Sequence, residues 1–458
     1  MIKEFLIISE SELLKDVISK IEHSKYNIVF IADSENKYHS QIPITKLRRM
    51  ILSGVDHKTP IKNVIKKDNL FIKQHNLQNK KSVENLKSLS KLANAKYVSI
   101  VDSAHNIVDI LNVDNMVDPE KKLDTHDKNG VNNILIIGGG GYLGSILVKK
   151  VIDSGRKVRV LDNFIYGRKS LIEYDNDSRV EIIDGDLRNI EKVISCLRDI
   201  DAVILLAAIV GDPASKARPS QTIETNLIAA QALAFACRTH CIGRFIYAST
   251  CSVYGKGYSI LNENSMLNPV SLYARTKIAS EDAIRSISNS NFSPTILRMS
   301  TLYGYSRRMR FDLVVNTMTM KAFTENKIQV FGGKQWRPLL HVEDAADVYL
   351  KCIELPLDKV GDQTFNVGSE KQNFQIIKIA NIISETLGDI PIEIIKADED
   401  NRDYRVSFKK IQRLMNFYPK LTIEMASKKI FRALVNKEIK NSLARKYYNH
   451  FFDSTEEM

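Results

Sequence analysis

Four side chains that can transfer or steer protons stand in two short stretches of the sequence. The stretch YASTCSVYG contains Thr250 and Cys251 directly after a β-prone apolar run, and SLYARTK contains Tyr273 and Lys277. A spacing of four places Tyr273 and Lys277 on one face of a helix. A nearby ammonium lowers the pKa of a phenol from its usual value of about 10, so Tyr273 could act as a base. The pattern predicts proton abstraction from a substrate hydroxyl, with Thr250 hydrogen-bonded to the same group.

A glycine-rich turn upstream predicts where a cofactor would bind. The sequence VNNILIIGGGGYLGSILVKK runs from a buried apolar strand into an amphipathic helix, which is the context that a dinucleotide fingerprint requires. Gly138 permits the tight turn, Gly141 admits a diphosphate, and Gly144 allows helix and strand to pack closely. Tyr142 and Leu143 belong to the same turn and are expected to contact the cofactor. A glycine-rich turn without ligand is the alternative.

The next strands supply further cofactor contacts at their carboxyl ends. The strand VRVL ends at Asp162, with Asn163 beside it, and a carboxylate there favours NAD over NADP because it accepts bonds from the ribose hydroxyls. Arg168 lies nearby and could instead meet a 2′-phosphate, which keeps NADP as the less favoured cofactor. The third and fourth predicted strands end in two further pairs expected to line the cofactor site: Asp186, Leu187, Ala207 and Ala208.

The alternation of elements predicts the fold that positions these residues. Helices over 221–240 and 272–287 alternate with strands over 244–249 and 294–298. Strands that alternate with helices form a doubly wound parallel sheet, the Rossmann type of α/β fold.

The motifs GGGGYLG, LDN, GDL, LAA, ETN, ASTCSVYG and YARTK resemble the extended short-chain dehydrogenase/reductase family, and within it the nucleotide-sugar epimerases and dehydratases. The resemblance extends from about residue 132 to 448. It implies NAD retained through a cycle that oxidises and then reduces the sugar again. It also implies that Lys277 binds the nicotinamide ribose, that a smaller C-terminal lobe binds the substrate, and that the helices at 221–240 and 272–288 form a homodimer.

The resemblance also implies residues that hold a nucleoside diphosphate sugar. Arg310 and Asn316 lie in the segment that joins the two lobes, where Tyr305 replaces the family's proline. Arg337 and Arg402 lie in two later segments, and guanidinium groups suit phosphate geometry. The alternative is that Arg337 and Arg402 are surface charges.

The residues after Thr250 bear on the type of reaction. Related 4,6-dehydratases usually carry acidic residues there, whereas this sequence has Cys251 and Ser252. Their absence favours a 4-epimerase, which needs no extra acid. A 4,6-dehydratase and a 4-reductase or oxidase remain open, as does epimerisation at C3 or C5 with Cys251 as proton donor or with Asp212 nearby. Cys251 as a packing residue and the whole chain as a non-catalytic nucleotide or NAD sensor are further alternatives.

The N-terminal section, residues 1–125, differs in composition from the enzyme-like section that follows it, residues 126–458. The segments from Ser11 and Asn79 resemble each other as helix, strand and polar turn, so they predict two similar α/β units. With LRRMILSGVDHKTPIKNVI, this section resembles a CBS-domain pair. The two positions that hold a nucleotide ribose in such pairs are occupied by Pro43 and Lys46 in this sequence. A regulatory nucleotide site and a purely oligomerising role therefore both remain open.

Composition limits the remaining classes. The chain of 458 residues has a net charge of +12, but its basic residues are scattered and no nucleic-acid-binding motif is present. The longest apolar run is too short to cross a membrane. The five cysteines form no CxxC pair, so we expect neither disulfides nor a metal site, and we expect a reducing cytoplasm.

Overall fold

The structure is a computed structural model in which the chain forms two compact units, residues 1–128 and 129–458. It describes residues 7–22, 28–35, 37–43, 47, 50, 55–68, 70–76, 82, 86, 97–112, 130–289, 291–396 and 402–449. The predicted boundary at 125/126, the helix predicted from Asn79 and the candidate Lys46 lie outside these residues.

The described part of the first unit contains two three-stranded sheets of the same strand order. In each sheet the middle strand pairs parallel with the first strand and antiparallel with the third. The two sheets are linked by a bridge between Lys37 and Asn106, at equivalent turns. The elements are β1 (Ile7–Ser9), α1 (Leu14–Glu22), β2 (Ile28–Ala32), β3 (Tyr38–Pro43), β4 (Phe71–Lys73), β5 (Tyr97–Val101) and β6 (Ile107–Asn112). The relation of this unit to CBS domains stays a prediction.

The second unit is built on a seven-stranded parallel sheet, in the order β17-β13-β11-β10-β7-β8-β9. Its strands are β7 (Asn133–Ile137), β8 (Lys157–Asp162), β9 (Val180–Asp184), β10 (Ala202–Leu205), β11 (Arg244–Thr250), β13 (Ser293–Met299) and β17 (Gln363–Val367). The helices between them are α2 (Gly144–Asp153), α3 (Ile190–Cys196), α4 (Asp212–Ala217), α5 (Pro219–Ile223), α6 (Ala230–Thr239) and α7 (Leu272–Ser286).

Two apolar layers cover the sheet, which is why its strands read as continuous apolar runs. Leu147, Val148 and Val151 of α2 pack on one face. Leu233 of α6 and Ile284 of α7 pack on the other face. The doubly wound parallel sheet predicted from the sequence is confirmed.

A smaller lobe is formed mainly by the C-terminal part of the chain. In its sheets β16 pairs with β14 and with β18, β15 pairs with β19, and β12 pairs with β20. Its elements are β12 (Lys256–Leu261), β14 (Thr301–Tyr303), α8 (Val314–Glu325), β15 (Ile328–Phe331), β16 (Trp336–His341), β18 (Asn373–Gln375), α11 (Ile376–Leu387), β19 (Ile392–Ile395), β20 (Asp403–Val406) and α13 (Ile423–Val435). Three further helices of this part of the chain pack in the core of the large sheet instead: α9 (Val342–Glu354), α10 (Leu357–Val360) and α12 (Lys409–Met415).

One predicted helix differs in detail from the sequence expectation. The segment 221–240 is not a single α-helix: α5 ends at Ile223, a π-helical turn covers Glu224–Ala229, and α6 follows. In that turn the buried side chain of Asn226 bonds both the N–H and the carbonyl of Ile209, at 2.8 and 2.9 Å. The amide therefore fixes the loop after β10 to the helix layer.

Candidate active site

The register of the parallel strands brings the predicted cofactor residues to one edge of the sheet. Ile137 at the end of β7 lies opposite Leu205 at the end of β10. The glycine turn and the loop with Ala207 and Ala208 therefore meet. Both line a cavity of about 880 Å³ in the second unit.

The glycine turn can pack tightly against its neighbours only because it lacks side chains. Gly138 has φ of +90°, and a Cβ there would lie 2.6 Å from the backbone nitrogen of Ala207. A Cβ on Gly144 would lie 2.2 Å from the carbonyl oxygen of Gly138. Gly141, Tyr142 and Leu143 also line the cavity. The turn fits the diphosphate of a dinucleotide next to the N-terminus of α2.

Asp162 organises the adjoining loop. Its carboxylate accepts hydrogen bonds from the N–H groups of Gly140 and Phe164, each at 2.8 Å. Burial raises the pKa of Asp162, and these two bonds oppose the shift. Arg168, the candidate for a 2′-phosphate, pairs with Asp175 at 2.7 Å. This pairing agrees with the preference for NAD.

The other predicted cofactor residues line the same end of the cavity. Asn163 donates to Asp186 at 3.3 Å, and Arg188 pairs with Asp186 at 2.9 Å. The Arg188 guanidinium lowers the pKa of Asp186. Leu187 is buried beside them. These contacts orient the edge of the site that β9 and β10 form.

Thr250, Tyr273 and Lys277 meet at the centre of the cavity. Thr250 ends β11, while Tyr273 and Lys277 lie on α7, whose first turn is capped by Ser271. Lys277 Nζ donates to the carbonyl of Ala248 at 2.8 Å and lies 6.0 Å from the centre of the Tyr273 ring. Burial raises the pKa of Tyr273, whereas Arg310 and a hydrogen bond with Thr250 lower it. Burial lowers the pKa of Lys277 to about 7.

Cys251 lies behind the wall of the cavity. A short 3₁₀ turn, Cys251–Tyr254, follows β11, and the thiol points into the core, where Sγ donates to the carbonyl of Arg298 at 3.2 Å. The side chain is 1% exposed, and burial raises its pKa. A neutral thiol directed away from the cavity argues against the expected role of Cys251 as a proton donor and agrees with the packing alternative.

Ser252 and Tyr404 face the cavity instead, and sequence reasoning missed Tyr404. Tyr404 is buried on β20 and is hydrogen-bonded to Ser252. Burial raises the pKa of Tyr404 to about 12, so its hydroxyl stays protonated at neutral pH. Alternation in the segment DYRV, with Tyr404 and Val406 on the buried face, was the available signal.

Three of the four predicted substrate residues line the cavity. Arg337 and Arg402 are neighbours, since the guanidinium of Arg337 donates to the carbonyl of Arg402. Arg402 pairs with Asp212 at 3.4 Å. Arg310 forms a two-bonded pair with Asp312, at 3.0 and 2.7 Å. Arg337 is 6% exposed, so the surface-charge alternative is wrong for it.

Asn316 has a different position from the one expected of a substrate ligand. It is fully buried, and its amide donates to Tyr142 Oη and to the carbonyl of Arg310, at 3.1 and 2.9 Å. Its oxygen accepts from the N–H of Gly304 at 2.9 Å. Because these bonds occupy the amide, Asn316 joins the lobe-connecting segment to the glycine turn and does not line the cavity.

Two negative findings apply to the described part of the chain. It contains no cluster of His, Cys, Asp and Glu that could hold a metal ion. None of its helices is both long enough and apolar enough to cross a membrane.

Known proteins share this sequence pattern and fold. The model of the NAD dependent epimerase/dehydratase family matches residues 134–368. A protein named uncharacterized UDP-glucose epimerase YtcB of Bacillus subtilis is 30% identical over 268 residues, which cover 56% of this chain and 82% of that protein. A putative UDP-glucose 4-epimerase of Methanocaldococcus jannaschii is 25% identical, over 66% of this chain and 98% of its own.

Among solved structures, the fold resembles UDP-glucuronic acid 4-epimerase of Bacillus cereus, which was crystallised with UDP-glucuronic acid and NAD. The TM-score is 0.60 at 24% identity, and the match covers 67% of this chain and 99% of that one. The N-terminal unit lies outside the family match.

Proposed function

Because the chain belongs to the NAD dependent epimerase/dehydratase family, we propose that it is a nucleotide-sugar 4-epimerase that acts in the synthesis of precursors for surface polysaccharides or other glycans. One observation carries the proposal. Thr250, Tyr273 and Lys277 converge on the cavity, while the positions after Thr250 bring a serine and no carboxylate to it. The relatives named as epimerases support the same reaction class.

In this proposal each of the three residues has its own step. Tyr273 takes the proton of the sugar hydroxyl and later returns it. Thr250 hydrogen-bonds the same oxygen, and Lys277 favours the phenolate by its charge when protonated. The glycine turn at Gly138, Gly141 and Gly144 would hold NAD, which would supply reversible hydride transfer at the sugar carbon. We also propose that Lys277 binds the nicotinamide ribose, as the family resemblance implies.

The substrate end of the cavity suits a diphosphate. Arg337 and Arg402 bring two guanidinium groups to the cavity, and Arg310 also lines it and lowers the pKa of Tyr273 by its charge. Arg402 is paired with Asp212 at 3.4 Å, so binding of a diphosphate exchanges one carboxylate for phosphate oxygens. We therefore propose a nucleoside diphosphate sugar as the substrate.

A panel of UDP-, GDP-, CDP- and dTDP-sugars tests the reaction, with products followed by NMR. We expect one sugar to be converted to its C4 epimer without net consumption of NAD or release of NADH. The Tyr273→Phe variant should lose activity by a factor of about 10²–10⁴, which is the usual contribution of a general acid–base group. A 4-keto-6-deoxy product would identify a dehydratase, and stoichiometric NADH would identify an oxidase.

For the N-terminal unit we propose a regulatory or oligomerising role. Two sheets of equal strand order, joined by the bridge between Lys37 and Asn106, support the internal repeat of a CBS-like pair. Kinetics and light scattering of the chain without residues 1–125 test this role, with AMP, ADP and ATP as added nucleotides. Unchanged kinetics, oligomer size and nucleotide response would contradict it.

A further inference from the structure

Arg308 is a buried cation that lines the cavity without a counter-ion from the described part of the chain. It lies between β14 and α8 and is 6% exposed. Both neighbouring arginines are paired: Arg307 with Glu173 at the surface, and Arg310 with Asp312. No carboxylate of the described residues pairs with Arg308.

The guanidinium is nevertheless held firmly in place. Its Cζ lies 3.6 Å from the centre of the Tyr166 ring, so the two planes can stack. Its Nη2 donates to Oδ1 of Asn449 at 2.7 Å. Its Nε, however, is buried and has no hydrogen-bond partner. Two neutral partners, Tyr166 and Asn449, therefore orient the guanidinium, and its Nε–H donor is left without an acceptor.

A buried charge without a partner is costly in free energy, and so is a buried donor without an acceptor. Burial and the adjacent Arg310 lower the pKa of Arg308 to about 10, which still leaves it protonated at neutral pH. An anion that enters with a ligand would offset both costs. Arginine forks suit phosphate oxygens because they donate two parallel bonds.

The position of Arg308 indicates which phosphate-containing ligand it would bind. Tyr166 follows Asp162 in the loop after β8, and Arg308 acts electrostatically on both Asp162 and Tyr142. Asp162 and Tyr142 belong to the predicted cofactor contacts. The two arginines of the proposed substrate wall have other partners: Arg337 packs over the Tyr404 ring and Arg402 pairs with Asp212. The Asp162 carboxylate also disfavours a 2′-phosphate near it.

We propose that Arg308 binds the diphosphate of the bound dinucleotide. In this role the lobe-connecting segment, which carries Arg308, and Asn449 hold the guanidinium over the glycine turn. The proposal rests on the NAD binding of the family and not on the sugar reaction. Binding of NAD to the unaltered protein tests that premise separately.

Titration calorimetry of nucleotide-free protein measures ligand affinity for the wild type and for Arg308→Gln. Arg307→Gln is the matched control, because it removes one exposed arginine, which is paired with Glu173. We expect Arg308→Gln to weaken NAD and ADP-ribose by about 10–100-fold, the range for a charged hydrogen bond. Adenosine, which lacks the diphosphate, should lose less than threefold, and Arg307→Gln should leave all three ligands unchanged. The NAD content after gel filtration should fall in parallel for Arg308→Gln.

Titrations with UDP and NADP distinguish the cofactor diphosphate from other phosphate groups that Arg308 could bind. If Arg308→Gln weakens UDP but not NAD, Arg308 belongs to the substrate site, and if it weakens NADP but not NAD, it reads a 2′-phosphate. Either result overturns the proposal, as does a loss below threefold for NAD. Should Arg308→Gln fail to fold, Arg308→Lys keeps the charge but loses the fork. This variant should weaken NAD by about 3–10-fold, and unchanged affinity would again overturn the proposal.

Discussion

At the scale of single residues, Lys277 is the most constrained charge in the site. It is 3% exposed, donates to the carbonyl of Ala248, and lies 4.7 Å from the centre of the Tyr247 ring. Burial lowers its pKa to about 7, although Glu281 acts in the opposite direction. The amine therefore titrates near neutral pH in the ligand-free protein, whereas in the unfolded chain it titrates near 10.4.

The sign of the resulting pH dependence follows from proton counting. Between pH 7 and 10.4 the unfolded state binds more protons at Lys277 than the native state does, so stability rises with pH in that window. We expect the free energy of unfolding of the wild type, relative to Lys277→Met, to rise by about 1–3 kcal/mol from pH 7 to 9.5. Urea unfolding of both proteins measures it. Lys149→Met, at an exposed pair with Asp153, is the control and should show no such trend.

Cys251 provides a second prediction at this scale. Because its thiol packs in the core and donates to the carbonyl of Arg298, Cys251→Ala should cost about 1 kcal/mol of stability. Activity should stay within about threefold of the wild type, whereas Thr250→Val should lower it at least tenfold. A loss of activity of about 100-fold in Cys251→Ala, with unchanged stability, would restore the thiol as a proton donor. Sugar turnover and urea unfolding give the two measurements.

At the scale of elements, the junction of β7 and α2 is too tightly packed to admit side chains. The helix starts at Gly144, directly against the carbonyl of Gly138, so there is no room for a side chain between them. The same packing leaves the N-terminus of α2 facing the cavity. Helix α7 starts differently: Ser271 Oγ accepts from the N–H of Ala274 at 3.2 Å and fixes the turn that carries Tyr273.

Substitution of Gly144 tests this junction. A Cβ at that place would lie 2.2 Å from a backbone oxygen, so Gly144→Ala must shift the helix start. We expect the thermal midpoint to fall by several degrees and NAD affinity to fall at least tenfold, measured by scanning calorimetry and by titration. Gly130→Ala is the matched control, since a Cβ there meets nothing within 4 Å. Equal NAD affinity of the two variants would contradict the assignment of the turn.

At the scale of the whole molecule, the helices of the proposed dimer present apolar side chains to solvent. Ile223, Ile228 and Phe235 lie on the run from α5 to α6 and are 39%, 57% and 59% exposed. An exposed apolar patch of this kind can be buried against a second copy of the chain. The homodimer implied by the family resemblance therefore stays our proposal for this surface.

A charge on that surface should separate the copies. Phe235→Glu is expected to convert the dimer to a monomer at micromolar concentration, as measured by light scattering during gel filtration. Met425→Glu, at a 53% exposed position of α13, should leave the oligomer intact. A wild-type monomer, or a Phe235→Glu variant that is still dimeric, would contradict this interface.

The sequence by itself determined the features that depend on local pattern. The glycine spacing, the apolar strands and the pair at 273 and 277 repeat with the periods of strand and helix, so their type and face could be read directly. Strand β17 and the π-helical turn at 224–229 were missed, because the first joins the sheet only through long-range pairing with β13 and the second depends on packing around Asn226.

Only the tertiary structure decided where side chains in irregular segments point. Cys251 follows a strand but lies in a 3₁₀ turn, and this turn directs the thiol inward while Ser252 faces the cavity. Asn316 bonds Tyr142, which lies 174 residues before it. Arg308 is bounded by Tyr166 and Asn449, which lie 142 residues before it and 141 after it. Such contacts have no period in the sequence. They exist because distant segments pack together, and the free energy of burying charge and hydrogen-bonding groups then selects their orientation.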